Sequence, residues 1–177
     1  MTKSIEYTRT SDKTRQRKRP GEPRQKPKMS SPQYAMFLLS RYEYSAVNLR
    51  AKLIQRGYSA EEADAAMAFV TERGYQSDER YAESKARARQ SRAGNRKIEL
   101  VLRSKGVSEK VAREQIATLD PEEDRARHSV EKFKKMAAAA GLTPELRQKI
   151  YRHLSSRGFS GSAIRAALAE LQSSLED

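Results

Sequence analysis

One short motif occurs three times in this chain and sets most of what the chain can fold into. The first copy is Leu49-Arg-Ala-Lys-Leu53, then Arg56-Gly57-Tyr58-Ser59, then Ala63, Met67 and Val70. The second places Ile98 and Leu102 ahead of Lys105-Gly106-Val107-Ser108, with Ala112, Ile116 and Leu119 behind. The third runs Ile150, Leu154, Arg157-Gly158-Phe159-Ser160, then Ile164, Leu168 and Leu171. The glycines lie 49 and 52 residues apart. A glycine just past a helix end can take the left-handed conformation that releases the chain from the coil. A serine two positions on caps the next helix, and Glu62 completes a capping box in the first copy. Apolar residues at i, i+3, i+4 and i+7 mark one buried stripe per helix. The reading is three copies of a helical unit.

The rest of the chain fits that reading. No segment alternates apolar and polar residues over strand length, so the predicted fold is all-α: a tandem array of three three-helix repeats, elongated or curved. Expected boundaries are a disordered basic tail at 1–30 and repeats at 31–74, 75–119 and 120–177. In repeat one a short helix follows Pro32, Ser45 caps the second, and the third spans Ala60–Glu72. Arg73-Gly74-Tyr75 repeats the glycine–aromatic exit. In repeat two Ser77 caps a helix anchored by Tyr81, Gly94-Asn95 separates it from the second, and the third runs from Glu109 to Leu119. In repeat three Asp120 is read as a cap with Pro121 at the first helical position. Its first helix is longer and carries Val130, Phe133 and Met136, with Phe133 read as the counterpart of Tyr81. Thr143-Pro144 opens the next helix. Units of about 50 residues bury too little surface alone and must lean on their neighbours, with hinges expected near 74–77 and 119–121.

Charge limits the function. Net charge is +13 over 177 residues, with a pI near 10.1, which points to a polyanionic or acidic partner. The tail to Ser30 holds five lysines and five arginines against three acids, a net of +7. With Pro20, Pro23 and Pro27 and almost nothing to bury, it reads as disordered. It is either a solvating extension or an arm reaching on the order of 30 Å toward a polyanion. A second concentration runs from Lys85 to Lys105: Lys85, Arg87, Arg89, Arg92, Arg96, Lys97, Arg103 and Lys105 against Glu99 alone, again +7. Solvated faces usually mix signs, so this strip is the candidate binding surface. Its arginines outnumber its lysines five to three, which suits forked contacts to phosphate or carboxylate.

Catalysis finds no support. There is no cysteine, which excludes disulfides and thiolate metal sites. Lys105-Gly106 lacks the rest of a phosphate loop. Glu122-Glu123-Asp124 is explained by the helix dipole without a metal. His128, four residues after Asp124, reads as half of a surface ion pair, and His153 as a boundary residue. No apolar run approaches the ~20 residues of a membrane span, and the basic N-terminus has no apolar core of a signal peptide. The expectations are a cytoplasmic monomer with no catalytic role, cofactor, metal or membrane contact.

Ser77-Asp-Glu-Arg-Tyr-Ala-Glu83, the basic run to Arg92, Arg96-Lys97-Ile98 and Leu102-Arg-Ser-Lys-Gly-Val-Ser108 resemble the RecX family. So do Glu43-Tyr44-Ser45 and Leu49 through Ser59. The resemblance covers about residues 34–172. It implies tandem three-helix units, binding to the RecA recombinase filament on DNA, and restraint of its ATPase, strand-exchange and coprotease activities. The chain departs from the family at Arg92-Ala93-Gly94-Asn95, where Gly-Tyr-Gly-Pro is usual and only the second glycine is kept, and at Lys85, where an aromatic is usual. Two other readings remain open here. One is a free-standing binder of single- or double-stranded DNA through its phosphates. The other is a helical adaptor for an acidic protein. On the first reading, reversing Arg89, Arg92, Arg96 and Lys97 together weakens function without loss of helix. Truncating Leu102 or Ile116 to alanine costs roughly 2–5 kcal/mol of stability.

Overall fold

The computed structural model describes residues 28–176. Among these there is no strand. The first unit contains α1 (Ser31–Leu39), α2 (Ala46–Arg56) and α3 (Ala60–Glu72). The second contains α4 (Asp78–Gln90), α5 (Asn95–Arg103) and α6 (Glu109–Ala117). The third opens with α7 (Glu122–Val130), passes through a 3₁₀ turn at Glu131–Phe133 into α8 (Lys134–Ala140), and ends with α9 (Pro144–Ser156) and α10 (Gly161–Ser173). In every unit the first and third helices pack on each other: α1 on α3, α4 on α6, α7 on α10. Each unit has its own apolar cluster, centred on Leu49 and Leu53, on Ile98 and Leu102, and on Ile150 and Leu154.

The repeated turn is the same structure three times. Gly57, Gly106 and Gly158 have φ of 114°, 86° and 80°. The next N–H returns to the helix it has left: Tyr58 to the Leu53 carbonyl at 3.3 Å, Val107 to Leu102 and Phe159 to Leu154 at 3.2 Å. This six-to-one bond closes a left-handed helix end. It turns Tyr58, Val107 and Phe159 into the core. Ser59, Ser108 and Ser160 then accept from Glu62, Val111 and Ala163 backbone N–H groups. Glu62 also accepts from the Ser59 N–H at 2.8 Å, as the capping box requires.

Units are joined by a second repeated device. The starts of α2 and α5, the middle helices of the first two units, are closed by groups of the following unit. The Ala46 N–H donates to Asp78 Oδ1 at 2.8 Å, and the Asn95 N–H to Glu122 Oε1 at 2.6 Å. Both acids sit in the first turn of the next unit's first helix. The glycine turn of that next unit lies against the same helix start. The Ser45 hydroxyl donates to the Lys105 carbonyl at 2.6 Å. The Gly94 N–H donates to the Arg157 carbonyl at 3.0 Å and the Arg96 N–H to Gly158 at 3.2 Å. Gly94 has an ordinary φ of −78°. What requires glycine there is proximity: a Cβ would lie 2.3 Å from the Phe159 nitrogen and 2.4 Å from the Gly158 oxygen.

Several expectations are corrected. Tyr81, Ala82 and Ala86 are matched by Arg125, Ala126 and Val130, which occupy the same buried positions after the capping acid. Phe133 is therefore not the counterpart of Tyr81; an arginine is. The third unit's first helix is not one continuous helix, and Met136 on it is exposed. Pro121, not Asp120, is its N-cap residue, and the Asp120 carbonyl accepts from Arg125 Nε at 2.9 Å. Tyr75 is exposed where Tyr58 is buried; Gln76 takes the inner position and donates to the Tyr44 carbonyl and to Asp78. The expected hinges are fastened. Arg80 holds the Gly74 and Tyr75 carbonyls and Glu43, and Arg125 spans from Asp120 to Ala93. Ile116 is only partly buried whereas Leu102 is 1% exposed, so the cavity cost falls chiefly on Leu102. Residues 1–27 of the expected tail lie outside the described residues. Met29 and Ser30 belong to the fold: the Tyr58 hydroxyl donates to the Met29 carbonyl at 2.8 Å, and Ser30 caps α1.

Gly94→Ala is expected to destabilise the chain by about 1–3 kcal/mol through overpacking and to separate the second and third units. Amide exchange should accelerate at Arg96 while the first unit keeps its protection. Gly74→Ala, where no atom lies within 4 Å of a Cβ, should cost only the left-handed φ, about 1–2 kcal/mol, and leave exchange at Arg96 unchanged.

Candidate functional site

The eight cations from Lys85 to Lys105 do not form one strip. At 3.6 residues per turn, Lys85 and Arg89 share a flank of α4 close to buried Tyr81 and Ala82, and Arg87 points the other way. Lys85 Nζ stands 5.6 Å over the Tyr81 ring. Burial raises the pKa of the Tyr81 phenol, against the opposing pull of the Arg89 charge and of Asn48. Arg87 is paired with Glu83 at 3.0 Å, one turn back. Arg103 sits in a network with Glu99 and Glu109, which Arg113 shares at 3.8 and 2.5 Å. The Ser91–Gly94 break separates the two helices, as Gly94 suggests.

Arg92, Arg96 and Lys97 remain. All three are exposed and make no ion pair with a described residue. They surround the start of α5, where the backbone of Arg157 and Gly158 is docked. At the α5 N-terminus beneath them the N–H groups of Gly94, Asn95 and Arg96 are taken by the third unit, so what this face chiefly offers outward is side-chain charge. Lys105 is exposed as well, and its carbonyl is held by Ser45; it stands at the other junction.

Beneath this face lies an arginine that the charge pattern did not single out. Arg125 is 5% exposed. It donates from Nη1 to the Ala93 carbonyl at 2.8 Å, from Nη2 to Asn95 Oδ1 and from Nε to the Asp120 carbonyl. Burial lowers its pKa, against the opposing pull of Glu122, Asp120 and Glu123. Its place after Glu122-Glu123-Asp124 was the available signal. The acids occupy a helix start as expected, and Glu122 also reaches the Ser160 N–H at 3.4 Å.

The junction of the first and second units forms a cleft of about 440 Å³. Tyr42, Tyr44 and Lys52 of the first unit face Tyr81, Lys85 and Lys105 of the second across it. Lys52 Nζ lies 5.4 Å over the Tyr44 ring. Tyr42 and Tyr44 lie just ahead of the Ser45 cap, whereas Tyr81, Lys85 and Lys105 are brought to them from the second unit. On the third unit a smaller basic cluster gathers around His153. Arg157 and Lys132 approach His153 Nδ1 at 2.8 and 3.3 Å, and Phe133 packs edge-on at 5.3 Å. Two cations donating to one nitrogen need its lone pair, so the ring is neutral with its proton on Nε2. Burial first, then Arg157 and Lys132, bring its pKa from 6.5 to about 4. The expected Asp124–His128 pair is not formed: Asp124 pairs with Arg127 at 2.8 Å. Among the described residues no cluster of acids and histidines could hold a metal ion, and no helix is long and apolar enough to cross a membrane.

The third helices carry little positive charge. α3 holds Glu61, Glu62 and Asp64, with Asp64 gripped by Arg50 at 2.6 and 3.1 Å. A helix of that charge does not suit a major groove.

Comparison with known proteins follows the same units. The model of the second RecX three-helix domain matches residues 77–114, and that of the third matches residues 120–168. The regulatory protein RecX of Chromohalobacter salexigens is 36% identical over 136 residues, covering 76% of this chain and 88% of that protein. Its namesake from Pasteurella multocida is 36% identical over 140 residues, covering 75% and 83%. The one from Neisseria gonorrhoeae is 33% identical over 144 residues, covering 81% and 92%. The crystal structure of RecX from Lactobacillus salivarius superposes with a TM-score of 0.69 at 22% identity, covering 80% of this chain and 94% of that one. A second regulatory protein RecX superposes at 0.68 with 20% identity, covering 77% and 69%. These two structures share the fold.

The neutral His153 ties stability to pH. Between pH 6.5 and about 4 the unfolded chain holds a proton on this ring that the folded chain does not, so stability rises with pH across that window and falls on acidification. The melting temperature is expected to drop from pH 7 to pH 5, and His153→Gln should flatten the drop. The lowered carboxylates Glu61, Asp64, Glu79 and Glu145 start from 4.5 or 3.8, so their contribution is lost mainly below the pH 7 to pH 5 interval compared here. Thermal unfolding followed by circular dichroism checks it.

Proposed function

This chain belongs to the RecX family of regulatory proteins, and on that premise we propose that it binds the RecA recombinase filament on DNA and restrains ATP hydrolysis, strand exchange and coprotease activity there. Residues 31–74, 75–119 and 120–177 act as three working units set along the filament. The observation that carries this reading is the exposed trio Arg92, Arg96 and Lys97, left without acid partners above a junction that locks two units together. A locked series of units can touch successive protomers of a polymer and hinder the relative motion that accompanies nucleotide turnover. The trio meets acidic protein surface or DNA phosphate, where forked guanidinium contacts are strong. No bond is made or broken by the chain itself. A second reading, non-specific DNA binding without a recombinase, draws on the same cations and predicts full affinity for naked DNA, with a steep loss in salt.

The test is ATP hydrolysis and strand exchange by recombinase filaments preassembled on single-stranded DNA. The intact chain should inhibit both. Replacing Arg92, Arg96 and Lys97 together by alanine should raise the concentration needed by tenfold or more, with helix content retained. Arg87→Ala removes a cation already neutralised by Glu83 and should shift it by less than about twofold. Equal effects of the two variants, or no inhibition by the intact chain at saturation, would refute the proposal.

A further inference from the structure

The cleft between the first and second units has a composition that a mere packing defect does not require. Three lysines converge on it from three separate elements: Lys52 from α2, Lys85 from α4 and Lys105 from the second glycine turn. Lys52 and Lys85 are each drawn over a tyrosine face, which holds the ammonium groups inward. The acid in the wall is Glu43. Its Oε1 is taken by Arg80 at 3.0 Å, while its Oε2 is buried and accepts no hydrogen bond. At the mouth, Tyr42 is 69% exposed and stands edge-on to Tyr44 at 87° and 6.5 Å. Its ring is fixed by a neighbour, and its face is open.

We infer that this cleft receives one nucleotide of a single-stranded nucleic acid, its phosphate against Lys52, Lys85 and Lys105 and its base on the Tyr42 ring. Each part of the ligand answers one feature. A phosphate carries the negative charge that three lysines lack. An aromatic base offers the flat surface that an exposed, oriented tyrosine ring binds. The volume falls within the roughly 300–1,000 Å³ of small-ligand sites. An acidic peptide would answer the lysines but leave Tyr42 without a stacking partner. A duplex keeps its bases stacked and paired, so it can bring phosphate to the lysines but no base to the ring. The site therefore selects single strands, which charge alone does not. Because the walls come from two units, an occupied cleft also holds that junction shut.

The test uses the full chain and no recombinase, so its outcome is independent of any action on filaments. Binding of a fluorescent single-stranded oligonucleotide, the same strand made abasic, and the duplex is measured at one salt concentration. Tyr42→Ala, on an exposed side chain, should weaken single-strand binding by about 5- to 150-fold, the range of one lost base–aromatic stack. Duplex binding should stay the same, and Tyr42→Phe should restore the single strand. The abasic strand should bind the intact chain as weakly as the natural strand binds Tyr42→Ala. Lys52→Gln with Lys85→Gln should weaken all three. The inference is overturned if Tyr42→Ala leaves single-strand binding intact or weakens duplex equally. It is overturned too if a polyglutamate peptide displaces the strand and itself depends on Tyr42, which would assign the cleft to an acidic peptide.

Discussion

The fold rests on how the middle helix of each unit is started. The first backbone N–H groups of a helix have no partner within it and must find one elsewhere. In α5 they find it in the next unit: Gly94 offers no side chain, and the N–H groups of Gly94, Asn95 and Arg96 go to Arg157, Glu122 and Gly158. In α2 the work is shared, with Ser45 accepting from Asn48 and Asp78 accepting from Ala46. The second helix of the third unit differs. It starts one turn earlier in core register, caps itself with Thr143, and has Pro144 in its first turn, where no N–H is needed. Its start is complete without a further unit, while the other two helix starts are not.

That dependence explains why small cores suffice. The first and second clusters bury three and four alanines, and each adds only two leucine-sized residues, one valine and one tyrosine. Cores of that size stabilise little on their own, and the array gains the rest by satisfying backbone donors across its junctions, where an unpaired buried group would cost about 1–3 kcal/mol. Arg125 belongs to the same economy. It occupies the position that Tyr81 fills one unit earlier and replaces an aromatic body by two hydrogen bonds to the neighbouring unit, at the Ala93 carbonyl and the Asn95 amide oxygen, and one to the Asp120 carbonyl of its own. Those acceptors and the acids around it offset part of its desolvation, which still leaves its pKa lowered.

What was legible in the sequence was what is local. Glycine–apolar–serine specifies a left-handed exit and a new cap within four residues, so the three turns, their buried apolar residues and nearly every helix start could be read directly. The junctions could not, because Asp78 and Glu122 looked like ordinary first-turn acids and only folding shows whose N–H they accept. Matching Phe133 to Tyr81 failed because aromatic was matched with aromatic, whereas the equivalence runs through the burial pattern that follows each capping acid. The ion pairs within the charge strip were not read for a simpler reason. Glu83–Arg87 and Glu99–Arg103 are both four residues apart, the spacing at which helical ion pairs form, and counting signs along the chain passes over it.

With those pairs removed, the remaining charge is distributed by junction and not by helix. Lysines and tyrosines gather where the first unit meets the second. Unpaired Arg92, Arg96 and Lys97 gather where the second meets the third. Each junction brings together residues distant in sequence and fixes the spacing between one basic group and the next, because the backbone bonds that dock the units leave no room for sliding: at Gly94 not even a methyl group fits. On the proposed function, a periodic polyanion would meet such a chain at fixed intervals, and strain imposed on one contact would pass to the next through the docked backbone. Restraint of a moving polymer needs that stiffness as much as it needs charge. A flexible chain of the same composition would bind phosphates equally well and follow every motion of the partner without resisting it.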